Sequence, residues 1–387
     1  MNFLLDSFAL LPELTRIPPS TGNGVAASAS CSLAGRRALV VGGTKGIGRG
    51  TAIALAESGC ATVDVVGRDR IAGASVVQAI EAVARGSGDR QDVVGQSNST
   101  SASSSSTATA SSPGVQVRAQ FLSADLSSVK GCRNFVSQLS ASGEPSYDIL
   151  VFTVGAWPDF KNPLTSDGFN RVLFLDVFSR YLLIQGLLSA RSDSASLVMS
   201  VLASGQKLSA GGQSKEERQA FLEEKVLSRH ITPEARAAYR ENTVFMKTLG
   251  CAGCAHDHML AALAEKHKQV KFVGTFPGLV ETEVMFSTLG DNIFSRGLNF
   301  LGRAVPAASG MQTIEECGRA HVDVIKHQLS NLQTPSTSST TSTEQPPKNL
   351  SFWSAVHRSQ RQLPDFFGLQ SWFLEKLDSS LSSVGAE

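Results

Sequence analysis

The sequence predicts an α/β fold in a single domain, a doubly wound parallel sheet covered by helices on both faces. Short apolar runs alternate with longer segments of helical pattern from residue 37 onward. The runs are apolar throughout, which is typical of strands that are buried on both faces of a sheet. A glycine-rich turn follows the first run and precedes the first helix, where dinucleotide-binding proteins place their phosphate-binding turn. These three features predict a Rossmann fold.

Each apolar run is followed by a helical segment, as parallel strands require, because two parallel strands need a long crossover connection. The six predicted strands span residues 37–41, 61–66, 116–121, 147–152, 195–201 and 270–275. Helical patterns fill the intervals between these strands. The first ends near residue 58, the second spans 71–84, the third ends near 139, and the last two span 176–188 and 243–267.

Two tracts rich in Ser and Thr interrupt this alternation. In the first, 12 of the 16 residues from 97 to 112 are Ser or Thr, and the second spans 334–343. Neither tract has the apolar side chains that would offset the entropy of ordering its backbone, so both are predicted to be disordered loops. The predicted organisation is an N-terminal extension (1–34), an NAD(P)-binding domain (35–330) with a Ser-rich insertion (86–114) and a lid-like insertion (206–241), a disordered loop (331–348), and a C-terminal segment packed on the domain (349–387).

Composition excludes several classes of function. The 35 Lys and Arg residues balance 34 Asp and Glu residues, so no basic excess predicts a nucleic-acid partner. No run of about 18 apolar residues exists to span a membrane. Six cysteines in 387 residues are too few for a disulfide scaffold, which favours a reducing compartment and a cytoplasmic location. The partner expected for such a protein is a small-molecule substrate.

The glycine turn predicts a cofactor site. After Val41, the sequence Gly42-Gly-Thr44-Lys45-Gly46-Ile47-Gly48 has glycines that let the backbone lie close to a pyrophosphate. The helix that begins there offers free N–H groups and the positive end of its dipole. The spacing Gly-x3-Gly-x-Gly differs from the usual dinucleotide fingerprint, but the position between a strand and a helix supports the assignment.

The end of the second strand predicts NADP as the cofactor. An NAD site usually places a carboxylate at this strand tip, but here the tip is Gly67 followed by Arg68, whose guanidinium suits a 2′-phosphate. Lys45 adds a second cation in the glycine turn. Asp69 opposes this interpretation unless it caps the following helix.

Five landmarks then appear in one order along the chain. They are the glycine turn, Ala124-Asp125-Leu126, Thr153-Val154-Gly155, a helix led by Asp176, and Phe276-Pro277-Gly278-Leu279-Val280-Glu281-Thr282. On these motifs, residues 35 to about 285 resemble the short-chain dehydrogenase/reductase family, enzymes that move hydride between NAD(P) and an alcohol or carbonyl compound. The resemblance implies that Asp125 contacts the adenine and that the segment containing Pro277, Gly278 and Thr282 borders the nicotinamide. It also places Leu126 and Gly155 among the cofactor-binding residues. Asp176 replaces the asparagine that usually leads the central helix.

The resemblance also implies a catalytic tyrosine with a lysine four residues later, but this sequence has no such pair. None of its three tyrosines, Tyr147, Tyr181 and Tyr239, is followed by lysine at that distance. Alignment on the family helix places Leu249 at the tyrosine position and Gly253 at the lysine position. The serine of the family falls near Leu202.

Two interpretations therefore stay open. In the first, the protein is an NADP-dependent oxidoreductase, and the candidates for catalysis are Tyr239 with Lys207 or Lys247, Ser204, and Asp176 as the anchor of a proton-relay water. In the second, it is a catalytically inactive NADP-binding regulator or scaffold, because cofactor binding and chemistry use different residues. A vestigial cofactor site is a weaker third interpretation, opposed by the retained glycines, Lys45 and Arg68.

The segment from Cys251 to His258 gathers two cysteines and two histidines within one predicted helix. Zinc sites usually use two separated ligand pairs, so no metal is expected here. The small residues of this segment predict close helix packing instead. In the resembled family the same helix lies at a subunit contact, which would fit a homo-oligomer.

Overall fold

In the computed structural model the described residues are 31–89, 117–156, 162–189, 195–202, 214–227, 244–278, 280–282, 312–332, 347–354, 359–361, 366, 368–382 and 384. The candidate residues Tyr239 and Ser204 lie outside this set. So do residues 1–30 and most of the Ser-rich and lid-like insertions.

Among the described residues, eight strands form one sheet in the order β3-β2-β1-β4-β5-β6-β7-β8. All neighbouring pairs are parallel except β7 and β8, which pair antiparallel. This is the Rossmann-like α/β fold that the sequence predicts. The strands are β1 (Arg37–Val41), β2 (Thr62–Gly67), β3 (Arg118–Ser123), β4 (Ile149–Phe152), β5 (Leu197–Val201), β6 (Lys271–Phe276), β7 (Leu350–Ser354) and β8 (Ser359–Arg361).

Eight helices accompany the sheet among the described residues. They are α1 (Gly46–Glu57), α2 (Arg70–Asp89), α3 (Val129–Ala141), α4 (Arg171–Ser189), α5 (Lys215–Leu222), α6 (Val244–Lys266), α7 (Ile314–Leu332) and α8 (Gln370–Ser382). Part of α4, Phe174–Phe178, is a wider π-helical turn, and a second π turn, Glu223–Leu227, follows α5.

The sheet separates two hydrophobic clusters. Along β1, Ala38 and Val40 face the cluster that contains the buried side chains of α1, α2 and α7. Leu39 and Val41 face the cluster that contains those of α3, α4, α6 and α8. Successive residues of a strand point to opposite faces, so a sheet covered on both sides needs apolar residues at every position. That requirement explains the uninterrupted apolar runs of the sequence.

The sequence pattern does not reveal the seventh strand. Residues 350–354 belong to the stretch expected to pack on the domain as a C-terminal segment, but they extend the sheet beside β6. All five residues are buried. Its two aromatic residues, Phe352 and Trp353, face opposite clusters, so their place in the core depends on the sheet rather than on any local period.

One described helix, α4, is long and apolar enough to cross a membrane, but 78% of its most apolar window is buried inside the protein. It is the central helix beside the sheet. The small residues of α6 are likewise used within the chain, since Ala252 and Ala255 are fully buried and α8 packs on α6.

The strand order indicates where a ligand would bind. The chain runs outward from β1 to β2 and β3, and then returns to add β4 on the other side of β1. In such sheets ligands bind outside the carboxyl ends of the strands, at the point where the order reverses. That point lies between β1 and β4, next to the glycine turn.

Candidate functional site

The glycine turn lies at the carboxyl end of β1 and is closely packed. Gly42 and Gly46 have φ angles of +89° and +53°, which residues with a side chain rarely adopt. A Cβ atom on Gly48 would lie 2.3 Å from the carbonyl oxygen of Gly42. No side chain caps the beginning of α1. The first N–H groups of α1 are therefore not capped by a side chain, and the beginning of a helix is where a pyrophosphate can bind.

The end of β2 lies directly beside this turn. A Cβ on Gly67 would come within 2.6 Å of the Thr44 methyl carbon, so Gly67 leaves room for the turn. Arg68 is exposed. Lys45 is paired with Asp69, with 3.1 Å between Nζ and Oδ2. A bound 2′-phosphate would have to compete with Asp69 for this lysine.

Asp69 begins α2 as an N-cap, accepting a hydrogen bond from the backbone N–H of Ala72 at 3.0 Å. This hydrogen bond and the neighbouring Lys45 lower the pKa of the Asp69 carboxyl. The position of Asp69 therefore has a local structural cause, and the residue is not a carboxylate at the tip of β2 in the manner of an NAD site.

The end of β3 brings Asp125 and Leu126 to the same edge of the sheet. The N–H of Ala124 donates to the carbonyl of Gly67 at 2.9 Å, which ties the two strand ends together. Asp125 is exposed, whereas Leu126 is buried. The residues that the resemblance assigns to adenine binding therefore lie beside the end of β2.

The Pro-Gly-x-Val-x-Thr segment after β6 reaches back toward the glycine turn. The Thr282 methyl carbon lies 3.4 Å from the position that a Cβ on Gly46 would occupy, although the two residues are far apart in the chain. Gln312 holds this segment by donating from its Nε2 to the carbonyl of Pro277 at 3.0 Å and by accepting from the N–H of Glu281 at 3.0 Å. Gly278 has a φ of 72°.

Gly155 lies at the exposed end of β4, directly over Asp176. A Cβ on Gly155 would lie 2.5 Å from Asp176 Oδ1, so no other residue fits there without displacement. Asp176 is only 2% exposed, and its Oδ1 has no hydrogen-bond partner among the described residues. Burial raises the pKa of the Asp176 carboxyl to about 7, although the nearby Arg180 acts in the opposite direction. Asp176 is therefore a buried carboxyl group that can hold a proton near neutral pH.

Arg180 is a buried cation that the sequence analysis did not identify. It lies one helical turn after Asp176, 3.7 Å from Oδ1, and is 1% exposed. Its Nε and Nη2 donate to the carbonyl of Val154 at 3.0 and 2.6 Å, and its Nη1 donates to the carbonyl of Val201 at 2.9 Å. The available signal was the Asp–Arg pair at spacing i, i+4 inside an otherwise apolar helix.

Ser200 and His256 extend the network of buried hydrogen bonds that Arg180 begins. Nη1 of Arg180 donates to Ser200 Oγ at 2.9 Å, and Ser200 Oγ lies 2.7 Å from His256 Nε2. The other ring nitrogen of His256 is 3.2 Å from Asp257 Oδ1. Burial lowers the pKa of His256, which favours a neutral ring that accepts from the serine hydroxyl. The histidine that the sequence placed in a loose metal-ligand cluster is thus part of a polar network, and no described residues form a metal-binding group.

The described tyrosines are not placed for catalysis. Tyr147 lies two residues before β4, rather than opening it, and donates to Asp64 Oδ2 at 2.6 Å. Tyr181 donates to Asp378 Oδ1 on α8 at 2.6 Å. Burial raises the pKa of both phenols above the ordinary value, the opposite of what a tyrosine acid/base needs. Gly253, at the lysine position, is buried.

Comparison with known proteins gives structural neighbours only, since no family model and no curated protein matches the chain. The NADP active-site complex of RhlG from Pseudomonas aeruginosa is 20% identical, with 76% of this chain and 90% of that chain covered and a TM-score of 0.48. A 3-oxoacyl (acyl-carrier-protein) reductase from Agrobacterium tumefaciens with NADP bound is 20% identical, covering 75% and 86%, with a TM-score of 0.46. A short-chain type dehydrogenase/reductase from Mycobacterium ulcerans is 16% identical, covering 91% and 98%, with a TM-score of 0.47. At these identities the likeness concerns the fold alone.

Proposed function

We propose that this chain is an NADP-dependent oxidoreductase of the short-chain dehydrogenase/reductase type, acting in the cytoplasm on a small carbonyl or alcohol substrate. The observation that carries the proposal is the approach of Thr282 to the glycine turn at the switch point of the sheet. A phosphate-binding turn alone serves many nucleotides. The segment from Pro277 to Thr282 adds a second wall beyond the pyrophosphate, where a dinucleotide would continue toward β4 and β5.

The residues present fit NADP. The backbone of the glycine turn, with Thr44, would hold the pyrophosphate, and the turn keeps its shape because a Cβ on Gly42 or Gly48 would collide with protein atoms packed behind it. Arg68 would bind the 2′-phosphate, and Lys45 would exchange Asp69 for it. When bound, NADP(H) supplies or accepts the hydride. Asp125 and Leu126 would contact the adenine, and Gly155, Pro277, Gly278 and Thr282 would line the nicotinamide end.

The chain's own contribution to the chemistry is a proton. Among the described residues Asp176 is the group best suited to hold it, because burial raises the pKa of its carboxyl to about 7 and the carboxyl lies beneath Gly155. Tyr239 and Ser204 remain the other candidates that the sequence offers. Tyr239 belongs to the lid-like insertion, and Ser204 comes two residues before that insertion begins.

The second candidate function is a catalytically inactive NADP-binding regulator or scaffold. The specific observation in its favour concerns Ser200, which lies two residues before Leu202, where the resemblance puts the family serine. Ser200 already has Arg180 and His256 as hydrogen-bond partners, so its hydroxyl is not available to a substrate oxygen. Cofactor binding would then serve sensing rather than turnover.

Titration of the purified protein with NADPH and NADH tests the cofactor assignment. We expect NADPH to bind at least about tenfold more tightly than NADH, since one charge-assisted hydrogen bond is worth about that much. Arg68→Glu should abolish the preference. Arg85→Glu makes the same charge change at an exposed position near the far end of α2 and should preserve it.

NADPH oxidation over a panel of aldehydes and ketones then separates the two functions. Turnover of any panel member supports the oxidoreductase. Tight NADPH binding without turnover across the panel supports the regulator. Binding of neither nucleotide overturns both proposals.

A further inference from the structure

We propose that Arg180 is a positioning residue that fixes the nicotinamide half of the crevice by tying the carboxyl ends of β4 and β5 together. This inference rests on the proposed cofactor function and adds to it a residue that sets the geometry of one half of the site. Arg180 itself is buried and would not touch the cofactor.

The hydrogen bonds of Arg180 join the ends of two neighbouring strands. Val154 lies two residues after β4 and receives two of them, while Val201 is the last residue of β5 and receives another. Ser200, also on β5, receives the fourth. Beyond these points the ladder between β4 and β5 has ended at Phe152 and Ser200, so backbone pairing no longer fixes the distance between the two strand ends.

The same connection reaches the glycine turn. The N–H of Val154 donates to the carbonyl of Val41 at 3.0 Å, immediately before Gly42. A Cβ on Gly42 would lie only 2.6 Å from that Val154 nitrogen. The backbone of Val154 is therefore fixed to β1 on its own, and Arg180 adds the connection from Val154 to β5.

Only a guanidinium can make this set of contacts. Its planar fork presents five N–H donors in fixed directions, whereas a lysine ammonium is a point charge with three donors. Asp176 partly balances the charge at 3.7 Å. A buried ion pair is often no more stabilising than apolar residues of equal volume, so stability alone does not account for it. The directions of its hydrogen bonds give it a geometric role.

The placement predicts an asymmetric effect on ligands. In a sheet of this order, one nucleotide half lies over β1 to β3 and the other over β4 to β6. Arg180 acts on the ends of β4 and β5. Its loss should weaken the hold on the nicotinamide half and spare the half that carries the adenine and the 2′-phosphate.

The test compares NADPH with adenosine 2′,5′-bisphosphate, which contains only the adenine half. We expect Arg180→Lys to weaken NADPH binding by about tenfold and to leave bisphosphate binding unchanged within about twofold. Tyr181→Phe is the matched control, because it removes a buried hydrogen bond from the adjacent residue on the side of α4 that faces α8. It should leave the affinities for both ligands unchanged.

A second variant guards against misfolding. Asp176→Asn combined with Arg180→Gln removes the connection without leaving an unpaired buried charge, and the same split between the two ligands is expected. Equal loss of both ligands, or loss of neither, would overturn the inference. Wild-type protein that binds the bisphosphate but holds NADPH no more tightly would also overturn it, while leaving the adenine half of the site intact. Binding of neither ligand by the wild type instead overturns the proposed function.

Discussion

At the scale of single residues, the crevice depends on glycines that have no side chain as well as on buried polar side chains. Gly42, Gly48 and Gly155 each lie where a Cβ would collide with backbone or with a buried carboxylate. Beneath the strand ends, the buried Arg180 donates hydrogen bonds to Val154 and Val201. The glycines let the strand ends approach a ligand closely, and the hydrogen bonds of Arg180 hold those strand ends in place.

Replacement of Gly42 tests this crowding. Gly42→Ala adds a Cβ 2.6 Å from Val154 N at a φ of +89°. We expect the free energy of unfolding to fall by about 3 kcal/mol, combining backbone strain with overpacking, and NADPH binding to be lost. Gly59→Ala is the matched control, with a φ of +85° and nothing within 4 Å. It should cost only the strain, about 1 kcal/mol, and retain binding. Equal costs for the two variants would contradict the crowding argument.

The pH dependence of stability tests Asp176. Its pKa is raised from 3.8 to about 7 in the folded state, so the folded protein keeps a proton that the unfolded chain releases in this window. Stability from this group is therefore complete below about pH 4 and is lost as the pH rises toward 7, with a slope of at most about 1.4 kcal/mol per unit.

Urea unfolding of wild type and Asp176→Asn across this range measures the effect. The wild-type free energy of unfolding should decline with rising pH relative to that of the variant. Asp125→Asn, which changes an exposed carboxylate, serves as control. Parallel profiles for wild type and Asp176→Asn would show that the carboxyl group does not hold a proton in the folded protein.

At the scale of elements, two features of the helices shape the site. The π turn Phe174–Phe178 contains Asp176, and it packs through Phe174 and Phe178 against Phe169, with ring centroids 5.4 and 4.9 Å away. Such wide turns inside α-helices are frequent at functional sites. On the other face, α7 crosses α1 so closely that a Cβ on Gly50 would lie 2.2 Å from the carbonyl of Ile314. Because α1 begins at the glycine turn, α7 supports this turn, the proposed cofactor site, from behind.

The crossing of α1 and α7 predicts a reversal of the usual helix propensity. Replacing a glycine by alanine inside a helix ordinarily stabilises it by about 1 kcal/mol. In Gly318→Ala the new Cβ would lie 2.3 Å from backbone atoms of Gly50, so we expect destabilisation of about 1–3 kcal/mol and weaker NADPH binding. Arg319→Ala, at an exposed position of the same helix, should have little effect. Thermal unfolding measures both, and a stabilised Gly318→Ala variant would refute the close contact.

At the scale of the whole molecule, the sheet separates two apolar clusters, and each cluster contains a buried cysteine. Cys60 belongs to one cluster and Cys132 to the other, and all six cysteines are free. Burial raises the pKa of Cys60, Cys132 and Cys317 to about 12. Burial also raises the pKa of Cys251 and Cys254 to about 11. The thiolate is the reactive form, so a packed core suppresses thiol chemistry.

Reaction with a disulfide reagent at mildly alkaline pH should therefore label one cysteine rapidly in the native protein. Cys31 is the expected site, and Cys31→Ser should remove the fast phase. All six cysteines should react once the chain is unfolded in denaturant. Several fast thiols in the native protein would indicate that the two clusters are not closed.

Local chemistry made the position of the glycine turn predictable from the sequence. A strand, a glycine turn and a helix are contiguous in the sequence, so the turn from Gly42 to Gly48 can be located from its immediate neighbours. The strand ends that carry Arg68 and Asp125 follow from the alternation of elements. The doubly wound fold follows from the same alternation, because apolar runs buried on both faces require covering helices.

Contacts between distant parts of the chain were decided only by the tertiary structure. Arg180 meets Val154 across 26 residues, and Ser200 meets His256 across 56. Nothing in the local pattern of either residue specifies those partners. A buried charge takes whichever acceptors the packed strands and helices bring within reach, because leaving it unpaired would cost far more than any local preference supplies. The place of β7 also depends on tertiary contacts. Its backbone pairs with β6, and without that neighbour the buried N–H and C=O groups of β7 would lack partners.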